Sequence, residues 1–347
     1  MSNTTMRAVL VREHGGFDAL SQETIDAPTA GPGEVVVGVK ACGINHLDLW
    51  VRRGVPGAKF PLPLILGSDA AGIVHEVGAG VDHISAGDEV IVAPGVSCGQ
   101  CPACIGGRDH QCRGYGILGE HKNGGCAEFI KVPAVNIVKK PANLSFAEAA
   151  AVGIPFLTAW HMLVDRARVR PGENVLIQGA GSGVSIAAMQ IAKLYGARVI
   201  VTSRTDDKLK RAEALGADVL LNSSTQDVAK EIANLTDRQG VEVVIEHVGQ
   251  ATWKTSVRSL AWHGRLVTCG ATTGAEVPLN LRHLFFKAQS FLGSTMGSKG
   301  EFIEVLDHVA RGSLKPVVDR ALPLADIAEA HRALEAGEIF GKVVLEP

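Results

Sequence analysis

"VLIQGAGSGVSIAAMQIA" occupies residues 175–192. A short apolar run ends in three closely spaced glycines, Gly179, Gly181 and Gly183. Apolar residues then recur at helical spacing. Strand, tight turn and helix are the expected order. Glycines let a backbone approach a pyrophosphate closely, and a helix N-terminus offers its N–H groups and positive dipole end to that anion. Gly179, Gly181, Ser182, Gly183 and Val184 are therefore candidate cofactor-binding residues. A glycine triplet alone is weak, and the flanking sequence strengthens it. "ENVLIQG", "ARVIVTS", "ADVLLN", "VEVVIEHVG" and "RLVTCG" read as strands. Helical stretches separate them: "VSIAAMQIAKLYG", "DDKLKRAEALG", one from Gln226, and one near "WKTSVRSLAWHG". Repeated βαβ units predict an α/β fold with a Rossmann doubly wound parallel sheet.

The second strand, "RVIVTSR", ends in Ser203 and Arg204. An NAD site would usually carry Asp or Glu there for the ribose 2′-hydroxyl. A hydroxyl, a guanidinium and the nearby Lys208 suit a 2′-phosphate instead. NADPH is the expected cofactor, ahead of NADH. Asp206 and Asp207 read as first-turn residues of the next helix, where carboxylates complement the dipole.

The first 150 residues differ. "MRAVLV", "EVVVGVKACG", "AAGIVHEVG", "DEVIVAP" and "AEFIKVP" are short strand-like runs punctuated by Gly and Pro, which predicts a β-rich, barrel-like domain. Ser145 and Glu148 have capping-box spacing and open the first helical stretch beyond it. The 347 residues carry a net charge of −2, with 46% hydrophobic and 20% charged residues. That composition is globular and recommends neither nucleic acid nor membrane as a partner. With no signal segment evident, the chain is expected in the cytoplasm.

Seven cysteines in a reducing compartment point to metal or catalysis rather than disulfides. Cys98, Cys101, Cys104 and Cys112 follow C-x2-C-x2-C-x7-C. Four thiolates at this spacing can enclose one Zn²⁺ tetrahedrally and leave no open position, which makes the site structural. An iron–sulfur centre is a less favoured occupant. Cys42, Cys126 and Cys269 read as small packed residues.

These features together resemble the medium-chain dehydrogenase/reductase superfamily, with its zinc alcohol dehydrogenases and quinone reductases. The resemblance rests on the β-rich front, the cysteine lobe at 95–115, "GDEVIV", "GGCAEF", the glycine turn and the final return strand. It implies a GroES-like catalytic domain at 1–153 and 295–347, a Rossmann domain at 154–294, and an active site in a cleft. Homodimers or homotetramers are also implied, and "HLFFKAQSFLGS" offers an apolar, strand-like edge. The alcohol dehydrogenase branch holds a second, catalytic zinc through two cysteines and a histidine. The matching positions here are Asn45, Ser68 and Ile154, none of which can replace those ligands. Leu47 and Trp50 stand where the proton relay would be. The stretch "CGINHLDLW" and "LGSDAAG" instead look like the zinc-free reductases.

The expectation is therefore one structural Zn²⁺, no catalytic Zn²⁺, and NADPH-dependent hydride transfer to an enone, enal or quinone. A zinc-type alcohol dehydrogenase is the alternative, and a non-enzymatic NADPH-binding protein a further one. Asn45 and Thr158 are candidate donors to a developing enolate oxygen. His46 is a candidate donor or proton source, set against a packed core histidine. Asp48 is expected to anchor the local loop through backbone N–H groups. Asp69 could orient His46 or hold a ribose. Tyr115 stays open as a cleft residue. His161 is expected to face packing.

Overall fold

The computed structural model describes residues 5–347. The chain divides into two units. One comprises residues through Ile154 with Ser298–Gly312 and Pro316–Pro347; the other is Pro155–Gly297 with Ser313–Lys315. The helix Gly153–Trp160 carries the chain from the first into the second.

The first unit is built on a seven-stranded sheet. Its order is Ile137–Lys139, Glu89–Val92, Asp69–Val77, Glu34–Gly43, Lys342–Glu346 and Val318–Pro323, with Phe129–Pro133 also paired to Glu34–Gly43. A smaller sheet joins Leu20–Asp26, Thr5–Val11 and Leu64–Ile65. Alternating apolar residues, Val35, Val37 and Val39 among them, send their side chains into a core shared with Leu66, Val90 and Ile130. Burying each such side chain contributes roughly 1.5–3 kcal/mol.

Register decides what lies at the ends of these strands. Gly43 is opposite both Asp69 and Val344, and the Ile44 N–H donates to the Val343 carbonyl at 2.9 Å. The last residue of one strand, the first of a second and the start of the C-terminal strand therefore meet at one point. Gly43 is required there for space. A Cβ on it would lie 2.2 Å from the Ala150 carbonyl oxygen and 2.6 Å from Lys342 Cε.

In the second unit six parallel strands run in the order Val219–Asn222, Arg198–Ser203, Asn174–Ile177, Val241–Glu246, Leu260–Thr268, Ser290–Gly293. This is the 3-2-1-4-5-6 order of a doubly wound dinucleotide fold. Helices Gly183–Leu194, Asp206–Ala214, Val228–Leu235 and Gln250–Ser259 make the crossovers. Both faces are covered, so the strands are continuously apolar, as in "VLI" and "VVI".

Two local expectations are corrected. The helix near "WKTSVRSLAWHG" stops at Ser259, and "LAWHG" belongs to the next strand. Pairing to Val241–Glu246 wins there, with a bulge between Leu260 and Arg265 and a positive φ of 57° at His263. "HLFFKAQSFLGS" is not strand throughout: Leu281–Phe286 is helical, and only Ser290–Gly293 pairs as the outer strand. Asn280 caps that helix by accepting the N–H groups of Arg282 and His283, a signal that outweighs the β-propensity of the phenylalanines.

Candidate active site

At the carboxyl end of Asn174–Ile177, Gly179 adopts φ +69°, which a side chain would strain. Its N–H donates to Thr202 Oγ1 at 3.2 Å, and the Ala180 N–H donates to the Thr202 carbonyl at 2.8 Å. The turn is thereby fastened to the neighbouring strand. Ser182 caps the following helix by accepting the Ser185 N–H at 3.0 Å. His247 Nε2 donates to the Gln178 carbonyl at 2.9 Å and lies 2.8 Å from Ser185 Oγ. Burial pushes its pKa below the usual imidazole range, so the ring is neutral and carries its proton where the carbonyl needs it. The buried Glu246 carboxylate accepts the Val248 N–H at 2.7 Å, the Gly249 N–H at 3.1 Å and the Ser256 hydroxyl at 2.6 Å.

Ser203 and Arg204 end the second strand, Ser203 buried and Arg204 exposed, with Lys208 half-buried on the next helix. Ser223 donates to the Ser203 carbonyl and Ser224 to the Arg204 carbonyl. Asp206, the nearest following carboxylate, accepts the Asn222 amide at 2.6 Å.

The second cluster lies in the first unit, where the three strand ends meet. Asn45 immediately precedes the helix His46–Arg53, and its N–H donates to Asp48 Oδ2 at 2.7 Å. Asp48 Oδ1 accepts the Gly67 N–H at 2.8 Å. Burial pushes the Asp48 pKa up to about 6, against those two N–H groups. The Asn45 amide nitrogen donates to Asp69 Oδ2 at 2.9 Å, and its amide oxygen accepts from the Lys342 ammonium. Lys342 Nζ also donates to Asp69 Oδ2 at 2.8 Å, while Asp69 Oδ1 accepts the Ile154 N–H at 2.7 Å. A Cβ at Gly153 would lie 2.0 Å from that same Oδ1. Asp69 and Lys342 are 1% and 3% exposed and Asn45 9%, so Asn45 is the member of the trio most open to an incoming molecule.

Asn45, Asp48 and Asp69 are thus one cluster with Lys342, a residue that sequence reasoning missed. The available signal was a lysine directly before the apolar "VVL" of a strand buried from its first residue. Asp69 grips Lys342 and Asn45. His46 is the partly buried first residue of its helix. Thr158 is buried in Gly153–Trp160, within the second unit. Tyr115 packs its buried hydroxyl against Gly95 beside the cysteine lobe. His247, Thr202 and Glu246 were likewise missed, because strand-end polar residues acquire meaning only when the turn they support is in view.

Cys98, Cys101, Cys104 and Cys112 bring their sulfurs within 4.8 Å of one another, and among the described residues they form the only such group of potential metal ligands. Measured Sγ–Sγ separations are 3.9 Å (98–104), 3.5 Å (101–104) and 3.6 Å (98–112). Four sulfurs at about 2.3 Å from a tetrahedral zinc lie about 3.8 Å apart, so the donor set fits Zn²⁺. The Gly114 N–H points at Cys112 Sγ at 3.3 Å. Backbone N–H groups of Gln100 and Cys101 lower the Cys98 pKa to about 6. This favours the thiolate, the ligating form, at Cys98. Lys299 fixes the lobe: its backbone and ammonium donate to Asp109 Oδ1 and Oδ2 at 2.9 and 3.0 Å.

Residues 31–142 match the family model "Alcohol dehydrogenase GroES-like domain", and residues 183–311 match "Zinc-binding dehydrogenase". The NAD-dependent alcohol dehydrogenase of Sulfolobus acidocaldarius is 33% identical over 98% of this chain and 99% of its own. The quinone oxidoreductase of Pongo abelii is 31% identical, covering 98% and 97%. A crystal structure of an NAD-dependent alcohol dehydrogenase superposes with a TM-score of 0.94 at 49% identity, covering 98% and 99%. The chain belongs to the medium-chain dehydrogenase/reductase superfamily. Within it, this protein is an NAD(P)-dependent oxidoreductase of the zinc-type alcohol dehydrogenase and quinone oxidoreductase group. Among the described residues no helix is long and apolar enough to cross a membrane.

Removing the metal should loosen the lobe. Cys101→Ser is expected to lower zinc content by about one ion per chain and to reduce Tm by roughly 5–10 °C. Elemental analysis together with calorimetry checks both, and an unchanged Tm in metal-free protein would show that the lobe holds itself.

Proposed function

We propose that this chain is an NADPH-dependent reductase of activated C=C bonds or quinones that works without a catalytic zinc. One observation carries the reading. The Lys342 ammonium already holds Asn45 Oδ1 and Asp69 Oδ2, side chains at and beside two of the positions, 45 and 68, that match the metal ligands of the alcohol dehydrogenase branch. A divalent cation at those oxygens would have to displace the ammonium that holds both. Asn45, Ser68 and Ile154 offer neither thiolate nor imidazole to take its place as ligands. The donor set does not fit a catalytic zinc.

A nicotinamide cofactor, when bound, supplies a hydride, and the glycine turn at 179–183 with the Ser182-capped helix is built to receive its pyrophosphate. An enone that gains hydride at its β-carbon shifts its π electrons onto the carbonyl oxygen, and a proton from solvent completes the saturated product at the α-carbon. The chain's task is to stabilise that oxygen. Asn45 has a second amide N–H beyond the one given to Asp69, and we assign it as the donor. His46 and Thr158 are assigned as supporting donors. Arg204, Lys208 and the Ser203 hydroxyl favour a 2′-phosphate, and Asp206 is occupied by Asn222. The relatives named as alcohol dehydrogenases favour a second reading, interconversion of alcohols and carbonyl compounds, and the same names favour NAD.

Stopped-flow oxidation of NADPH against a panel of enones, enals and quinones tests the reading, with metal analysis of the same sample. Turnover of the panel with about one zinc per chain is expected. Turnover of alcohols alone, with about two zinc ions, would establish the second reading. Arg204→Asp is expected to move the NADPH-to-NADH preference toward NADH by roughly tenfold or more, and an unchanged ratio would remove Arg204 from cofactor choice.

We further assign the open edge at Ser290–Gly293 as a homodimer interface in the cytoplasm. Trp262, Leu281, Phe285 and Phe286 are 53–72% exposed around it, and Trp262 stacks edge-on against Phe286 at 5.3 Å. Phe286→Glu is expected to yield monomers by light scattering.

A further inference from the structure

We infer that Lys342 is the positioning residue of this site: it fixes which way the Asn45 amide faces and supplies the site's positive charge. The inference rests on the reading of Asn45 as a donor and goes beyond it, because it says what makes Asn45 a donor.

The geometry permits one amide orientation. Asn45 Oδ1 accepts from the Lys342 ammonium, and Asn45 Nδ2 donates to Asp69 Oδ2 at 2.9 Å. Rotating the amide by 180° would set its NH₂ against the ammonium and its oxygen against the carboxylate. Two favourable contacts would become a donor–donor and an acceptor–acceptor clash, in a place where water cannot relieve them. Lys342 and Asp69 hold each other at 2.8 Å, and Asp69 Oδ1 is tied to the Ile154 N–H, so neither partner can turn to suit a flipped amide.

Polarisation follows from the same contacts. An amide whose oxygen accepts from a cation carries a more positive NH₂ group, and hydrogen bonds in such a chain strengthen one another. The second N–H of Asn45 is therefore a better donor to a developing oxyanion than an isolated amide would be. Lys342 is 3% exposed and Asn45 9%, so the cation acts through the amide rather than by touching the substrate. The packing around the lysine is specific: its Cε would lie 2.6 Å from a Cβ at Gly43, so glycine at 43 lets the side chain reach the pair.

The test is a double-mutant cycle with a spectroscopic readout on cofactor-free protein. Lys342→Met removes the charge at similar volume. It leaves Asp69 unpaired, so Lys342→Met/Asp69→Asn serves as the charge-neutral companion should the single variant fail to fold. The expected results are a roughly hundredfold fall in kcat for the enone with KM within about threefold, and partial recovery in Lys342→Arg. Combined with Asn45→Ala, Lys342→Met should cost nothing further. In ¹⁵N-asparagine-labelled protein the Asn45 side-chain pair, identified by its loss in Asn45→Ala, should shift and lose protection from exchange in the charge-removed variant. Additive losses in the cycle, or an unmoved Asn45 signal, would overturn the inference. Full turnover in Asn45→Ala would defeat the donor reading instead, while the amide signal would still report whether Lys342 orients that side chain.

Discussion

A single buried ammonium holds the first unit's site together. Lys342 stands at the start of the last strand, Asp69 at the start of another, and Asn45 just past the end of a third. Each is nearly or wholly removed from water. A carboxylate or an ammonium alone at such a place would be strongly disfavoured, and together they are tolerable only because each spare lone pair and proton finds a partner. Asp69 meets this condition with Lys342, Asn45 and the Ile154 N–H. The clearances at Gly43 and Gly153 are part of the same arrangement, since a methyl group at either would collide with the lysine stem or the carboxylate. The strand register, the two glycines and the charged trio stand or fall together.

The nucleotide unit uses neutral groups and one carboxylate for a comparable purpose. Its glycine turn is held from below by Thr202, Gln178 and a neutral His247, and the next loop by the buried Glu246 carboxylate and its N–H and hydroxyl partners. Most of these contacts fix backbone around the helix start at Ser182. The cysteine lobe repeats the theme with sulfur: N–H groups lower the Cys98 pKa, and Asp109 locks the lobe to Lys299 at the start of a helix nearly two hundred residues later in the chain.

Much of this was readable from residues alone. Alternating strands and helices after residue 174 have strong periodicity, which makes a doubly wound parallel sheet the expected arrangement. The cysteine spacing identified its own geometry. Less legible were features created by pairing across long sequence distance. "LAWHG" has helical neighbours, and only the partner strand makes it extended. Phe285 and Phe286 favour strands, yet the Asn280 cap turns them into a helix. Lys342 was invisible because a lysine before "VVL" looks like a surface residue until the register, which sets Val344 opposite Gly43 and Gly43 opposite Asp69, lets its ammonium reach the Asp69 carboxylate. Asn45 could be singled out as a changed ligand position, but not the cation that occupies its oxygen.

The occupied amide has an evolutionary corollary. On the proposed reading, a cysteine at 45 would set its thiolate beside the Lys342 ammonium and pair with it. A metal-assisted site would then need the lysine replaced as well as ligands installed, because losing Lys342 alone leaves the buried Asp69 carboxylate without its partner cation. The charged pair therefore resists piecemeal change, one substitution at a time.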